Sequence, residues 1–309
     1  MKPPYDGAMT AEQLRYRRAT RDDSRACHDL MWTSVVDLAT RQGSPLQGTA
    51  DDWWRSGESL HRLLARLAAE WWVAEETDSG RLVGFARTLE REGLVELTEF
   101  FVLPDAQSRG VGRALLERAF PAGQAAVRSI VATSDVRAQA RYYAAGTVAR
   151  FPIYTLAAAT REAEPAGDVV AIPIDDGRTI EGQRAIEGQV LGHRRSDEEM
   201  RWLLEHRRAH LYRRDGETIG FAFVGIDGVG PVAALAPSDL PAILLHVEGL
   251  ARSIGIERIE IQVPAPNETA MRHLMGRGYR FDSWINFLMS DRPFGQFDRF
   301  IPFSPPLFL

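Results

Sequence analysis

The chain has 309 residues, 45% of them hydrophobic and 26% charged, which suits a protein with a substantial buried core and fits two domains of about 150 residues. A formal net charge of −5 shows no basic surplus and argues against a nucleic-acid partner, while suiting an amine substrate without requiring one. One cysteine, Cys27, excludes an internal disulfide; no apolar run is long enough to span a bilayer and no secretory pattern opens the chain, so a cytoplasmic location without membrane attachment is expected.

In chain order, Leu14 to Ala19 predicts a strand, and Asp22 or Asp23 is placed to cap a helix reaching about Arg41. A second helix is predicted from about Asp51 to Glu70, then strands at Trp71–Glu76, Leu82–Glu90 and Leu94–Leu103. A helix from Val111 to Ala119, a strand at Val127–Thr133, a helix from Ala138 to Ala145 and a strand at Phe151–Leu156 complete one unit. Hairpins followed by strand–helix–strand crossovers imply an α/β (α+β) fold with a mixed sheet.

The pattern recurs. Gly84-Phe85-Ala86 and Gly220-Phe221-Ala222 each follow a turn, Asp78-Ser79-Gly80 or Asp215-Gly216, and each is read as the start of a hairpin's second strand. Asp135, Ala138, Tyr142 and Gly146 share their spacing with Asn267, Ala270, Leu274 and Gly278. The triplets lie 136 residues apart and the second pair of patterns 132, so the chain is expected to be an internal duplication, residues 1–160 and 161–309. The Ala- and Glu-rich stretch from Ala157 to Asp168, with Pro165 and Gly167, is the expected linker.

Chemistry concentrates after the fourth strand. Pro104 ends it, and Gln107-Ser108-Arg109-Gly110-Val111-Gly112-Arg113 leads into the helical run Ala114, Leu115, Leu116 and Ala119. Glycines admit close backbone approach, and successive amides at a helix N-terminus make an anion site, to which Arg109 and Arg113 add charge. A plain arginine-rich surface turn is the alternative. A Gly-x-x-x-x-Gly-Lys-Ser/Thr loop is absent, and Leu115 stands where a dinucleotide fingerprint needs its third glycine.

Gln107-x-x-Gly110-x-Gly112 after Phe101-Val102-Leu103-Pro104 resembles the cofactor loop of the GNAT (N-acetyltransferase) superfamily. Asp135-x-x-Ala138-x-x-x-Tyr142-x-x-x-Gly146 resembles its second signature, in which Asn usually takes the first place. The likeness covers Leu14 to Leu156 well and Thr179–Met289 weakly, so the whole chain resembles a tandem GNAT protein: two lobes, each a mixed, mostly antiparallel sheet flanked by helices. The resemblance implies acetyl-CoA, with its pantetheine arm along Phe101, Val102 and Leu103 and its pyrophosphate on the amides from Gln107 to Ala114. It implies direct attack by an amine in a ternary complex, with Tyr142 protonating the leaving thiolate and Tyr143 as its natural control. Asp135 in place of Asn can accept a hydrogen bond from the cofactor but not donate one.

A base is also needed, and Glu96 and Glu99 are the candidates. Strict alternation puts them on opposite faces unless a β-bulge intervenes: Glu99 with Val95, Leu97, Phe101 and Leu103 on an otherwise apolar face, a setting that raises a carboxyl pKa, and Glu96 with Thr98. Glu99 is slightly preferred, though either fits a solvated strand residue as well.

The second copy has Gly230 to Pro241 in place of the loop, with no Gly-x-Gly and no basic residue, and Leu274 in place of the tyrosine. It is expected to be a degenerate lobe supporting one active site. His206 and His210 have metal-pair spacing but no third ligand, so no metal is expected. Trp53-Trp54 and Trp71-Trp72 are read as core packing ahead of a substrate pocket, Cys27 as a buried thiol, and Phe300 to Leu309 as an end packed on a sheet edge or between the lobes. The expected partner is a small-molecule amine, with the chain a monomer or homodimer. A non-catalytic acyl-CoA sensor and a peptide or protein N-acetyltransferase are the alternatives.

Overall fold

The computed structural model describes residues 13–43, 45–163, 167–303, 307 and 309. The first copy runs β1 (Leu14–Arg18), α1 (Ser24–Arg41), α2 (Ala50–Leu67), β2 (Glu70–Glu76), β3 (Leu82–Arg91), β4 (Leu94–Val102), α3 (Val111–Ala119), β5 (Val127–Thr133), α4 (Val136–Ala144) and β6 (Val148–Ala159). The second repeats that order as β7 (Val170–Pro173), α5 (Gly177–Leu191), α6 (Asp197–His206), β8 (Arg208–Arg214), β9 (Glu217–Gly225), β10 (Gly228–Ala234), α7 (Leu240–Ser253), β11 (Arg258–Pro264), α8 (Glu268–Gly276) and β12 (Arg280–Ser290), followed by the short β13 (Phe300–Ile301). Local chemistry sets the helix starts. Thr49 with Asp52, Asp176 with Thr179 and Ser196 with Glu199 form capping boxes that satisfy otherwise unpaired N-terminal amides, whereas Asp23, ahead of α1, accepts from the Thr20 amide and makes no side-chain cap of that helix.

Contacts divide the chain into two compact units that do not follow the linear copies. The first comprises Met1–Glu90, Val95–Ala125 and Tyr143–Ala145; the second comprises Arg91–Leu94, Ala126–Tyr142 and Gly146–Leu309.

In the first unit the strands run β1-β2-β3-β4, and β2 is antiparallel to both β1 and β3. Adjacent residues of β3 point to opposite faces. Gly84 lies against α3, where a Cβ would come 3.0 Å from Leu115 and 3.2 Å from Val111. Phe85 joins Cys27, Leu30, Trp71 and Val73 in a core under α1 and α2, with Phe101 and Leu103 packed against it.

In the second unit one sheet has the order β5-β12-β6-β11 and another β13-β10-β9-β8-β7. β12 pairs antiparallel with β5 from Asn286↔Thr133 to Ser290↔Ser129, and with β6 from Arg280↔Ala157 to Ser290↔Val148. β6 in turn pairs antiparallel with β11 from Arg258↔Ala159 to Pro264↔Ile153. The last strand of each copy is thus bonded into the other's neighbourhood. A large apolar cluster including Leu156, Tyr212, Val232, Ile243, Ile261 and Leu274 fills the unit.

Three expectations are corrected. β6 is twice the predicted strand, because it has partners on both edges; Ala157 to Ala159, expected as linker, are bonded to β11. Residues 164–166 of that linker lie outside the described residues. The hairpin strand β9 begins before its Gly-Phe-Ala triplet, at Glu217, while β3 begins at Leu82 as its predicted strand does. The chain end meets a sheet edge as anticipated, with Phe300 and Ile301 pairing with Ala233 and Val232. No helix among the described residues is long and apolar enough to cross a membrane.

Candidate active site

The glycine loop belongs to the first unit. After β4, Pro104–Ala106 forms a 3-10 turn in which the Ala106 amide donates to Leu103 O at 2.9 Å, and the Gln107 side-chain amide donates back to Val102 O at 3.1 Å. Ser108 (φ +67°) and Gly110 (φ +84°) then take left-handed conformations, and Gly110 caps α3. Gly112 lies where a Cβ would meet the Phe100 ring at 3.0 Å. Among the described residues, the amides of Ser108, Arg109, Gly110, Val111, Gly112 and Arg113 donate to no protein acceptor. This run of donors at the positive end of α3 is a cradle for a phosphate or pyrophosphate. Ala114 already bonds Gly110 O at 3.0 Å, so the cradle stops there. Arg109 is exposed, and Arg113 pairs with Glu117 at 2.7 Å. Phe101, Val102 and Leu103 are half-buried along the approach.

Both strand carboxylates are buried: Glu96 is 1% exposed and Glu99 4%. Glu99 does not sit on an otherwise apolar face. Arg87, two residues beyond Phe85 on β3, reaches its carboxylate at 3.0 Å and lies 3.9 Å over the Trp71 ring. Around them stand residues the sequence reading passed over. His28 on α1 and His61 on α2 make an edge contact with ring centres 5.0 Å apart, and His61 stacks on Trp54 at 5.5 Å. Burial holds His61 below its usual pKa of 6.5; Glu99 opposes this, while His28 and Arg87 reinforce it. Burial also pushes the Cys27 thiol up, as expected of an inert, enclosed cysteine. Trp71 is core, whereas Trp54 lines an open cavity of about 360 Å³ with Arg21, Arg25, Glu58, Arg62 and Arg66.

Tyr142 and Asp135 belong to the second unit. Tyr142 on α4 is 6% exposed, and burial, then the nearby Asp135 charge, raise its pKa, so its hydroxyl keeps its proton at neutral pH. Tyr143 is 51% exposed. The Asp135 carboxylate accepts from the Arg137 amide and from Arg137 Nη2, both at 2.9 Å, and so is engaged in starting α4.

The second copy closes the equivalent position. Asp239 precedes α7, ion-paired with Arg214, and Pro241 follows within the first turn. A carboxylate at the helix's positive end occupies the electrostatic role a phosphate would take. Leu274 is 1% exposed in the tyrosine's place, and Asn267 caps α8 by accepting from the Ala270 amide at 3.1 Å. His206 ends α6 with its ring on Trp202, whereas His210 lies on β8 beside His246, so the two do not share a helix face. Among the described residues no group of three or more His, Cys, Asp or Glu is disposed to hold a metal ion.

Comparison with known proteins relates these features to a domain family. Residues 68–146 match the acetyltransferase (GNAT) domain family model, a span that includes β4, the loop and α4. No curated protein matches the chain. Among solved structures, a Pyrococcus horikoshii protein provisionally assigned as an acetyltransferase superposes with a TM-score of 0.68 at 16% identity, covering 99% of this chain and 96% of its own. A GCN5-related N-acetyltransferase from Sphaerobacter thermophilus gives 0.62 at 17% identity, over 92% and 98%. A tandem GNAT protein from the clavulanic acid biosynthesis pathway gives 0.53 at 16%, over 91% and 99%. These likenesses concern the fold, which extends over nearly the whole chain as two GNAT-like lobes. Residues 68–146 thus carry the match to the acetyltransferase (GNAT) domain family, and the fold around them is that of GNAT proteins.

Proposed function

We propose that this protein transfers an acetyl group from acetyl-CoA to a primary amine of a small molecule, by direct attack in a ternary complex, at one site per chain. The observation that carries the proposal is the cradle of six undonated amides from Ser108 to Arg113 at the N-terminus of α3, inside the family-matched segment. Acetyl-CoA would supply the acetyl as an activated thioester. Its pyrophosphate suits the amides and Arg109, and its pantetheine arm suits the half-buried edge at Phe101, Val102 and Leu103. Asp135, held by Arg137, is better suited to shaping α4 than to binding the arm.

Tyr142, kept protonated by burial, is the donor for the leaving thiolate. Glu99 and Glu96 are the carboxylates available to draw the proton from the amine. Of the two, Glu99 has its charge supported by Arg87. Residues 1–160 form the working copy; residues 161–309 form a copy in which Asp239 and Leu274 replace the chemistry. A panel of primary amines with acetyl-CoA, read by release of free thiol, tests this. Amine-dependent thiol release supports it, whereas CoA binding without turnover of any amine would favour an acyl-CoA sensor.

A further inference from the structure

The two histidines on α1 and α2, which sit with Arg87, have no role in the reaction described so far. His28 Nε2 and Arg87 Nε are both buried, and neither has a hydrogen-bond partner among the described residues. Folded proteins rarely leave such atoms unsatisfied, and each costs about 1–3 kcal/mol, so an incomplete buried network marks a place completed by something else. His61 lies one ring away from a cavity. It stacks on Trp54, and Trp54 lines the cavity between the start of α1 and α2.

One turn before His61, α2 carries Gly57, which costs about 1 kcal/mol relative to alanine in a helix interior. A Cβ at Gly57 would stand 3.3 Å from His61 Nε2, so any side chain there would press on that nitrogen. The surroundings fit a group that gains and loses a proton. Around the ring, α1 brings His28, with Arg25 over the Trp54 ring on which His61 stacks; β3 brings Arg87 and β4 brings Glu99. On α2 itself Glu58 pairs with Arg62. Burial keeps the imidazole neutral near pH 7, ready to accept a proton, and Glu99, itself paired with Arg87, stabilises the cation once formed.

We propose that His61 Nε2, in place of either strand carboxylate, accepts the proton of the acceptor amine, with Arg87–Glu99 as its positioning and charge-stabilising pair, and that the acceptor arrives through the cavity lined by Trp54. This rests on the acetyl-transfer reading above. The acceptor enters as an ammonium and gives one proton to His61. Its nitrogen lone pair forms the N–C bond as the C–S bond breaks, the thiolate takes a proton from Tyr142, and the new amide nitrogen gives up its second proton to solvent; Tyr142 regains a proton from solvent and His61 returns its own, releasing one proton net.

The test uses the full chain with the best amine from the panel. His61→Gln should lower kcat about 100-fold, leave the Kd for CoA within twofold, and erase the limb of the kcat/KM profile below pH 6.5. Gly57→Ala, which favours the helix but crowds Nε2, should lower kcat/KM at least fivefold without lowering Tm, and it decides the matter should His61→Gln fail to fold. Turnover by His61→Gln within threefold of the parent, or an unchanged acidic limb, would overturn the proposal while leaving acetyl transfer intact. A parent chain that acetylates no amine would sink both.

Discussion

Replacing Arg87 by methionine strips Glu99 of its counter-charge inside the first unit. Arg87 is 1% exposed and Glu99 4%, so water reaches neither group and no solvated alternative exists without opening the packing of α1 and α2 on the sheet. Breaking a buried pair by removing one partner costs about 3–5 kcal/mol, because the other charge is stranded. The methionine stem recovers part of the contact with Trp71, over which the guanidinium stands at 3.9 Å. Adding Glu99→Gln to Arg87→Met removes the stranded charge and should restore at least half of the loss. The four chains would be compared by urea unfolding, with the coupling energy taken from the double-mutant cycle and hydrogen exchange in β4 locating the change. A single-mutant loss below about 1 kcal/mol, or additivity of the two changes, would refute the reading of a desolvated, mutually dependent pair.

Tyr142→Phe should reduce kcat about 100-fold with CoA affinity unchanged, whereas Tyr143→Phe, at a half-exposed position, should have little effect on either. Gly110→Val places a β-branched residue at φ +84° and should weaken CoA binding at least tenfold by titration calorimetry, while Gly123→Val, at φ +76° outside the loop, should not. Titration of the intact chain should find one CoA per chain, since Asp239 and Arg214 fill the second copy's helix terminus. His193 has its pKa lowered from 6.5 to about 4 by burial, with Arg91 adding to the effect. Its folded value lies below its unfolded one, so its contribution is complete above pH 6.5 and is lost as pH falls from there towards 4. The span is about 3 kcal/mol, and His193→Gln should flatten that part of the stability profile in urea unfolding.

Sequence reading went furthest where local chemistry is decisive. α3 and β5 begin and end as predicted, because a glycine loop, a helical period and a short β-branched run leave little room for other outcomes. The element order recurs because the two copies kept their turn residues and their apolar faces. What escaped was non-local. His28 and His61 lie on different helices, and only packing brings them together. Arg87 was legible in hindsight: it shares the inward face with Phe85, and an arginine there implies a buried acid across the sheet. The burial of Tyr142 is a property of the folded chain, and the engagement of Asp135 comes from Arg137, two residues along, which spacing alone does not distinguish from a cofactor contact. The length of β6 depends on partners about a hundred residues away.

That last arrangement governs how the chain can come into being. β6 is complete in sequence at Ala159, but its neighbours are β11 and β12, the latter ending at Ser290. At about 5–20 residues per second, a ribosome needs on the order of ten seconds to make the intervening stretch. During that time β5 and β6 have an emerging chain but no partner between them. The first copy therefore cannot finish folding as it is born, and a nascent β6 with both edges open is exposed to wrong pairing and to holdase capture. The same geometry makes a cut near residue 160 a poor way to isolate either half, since it removes the strand that lies between β11 and β12. The two copies are, in folding terms, indivisible.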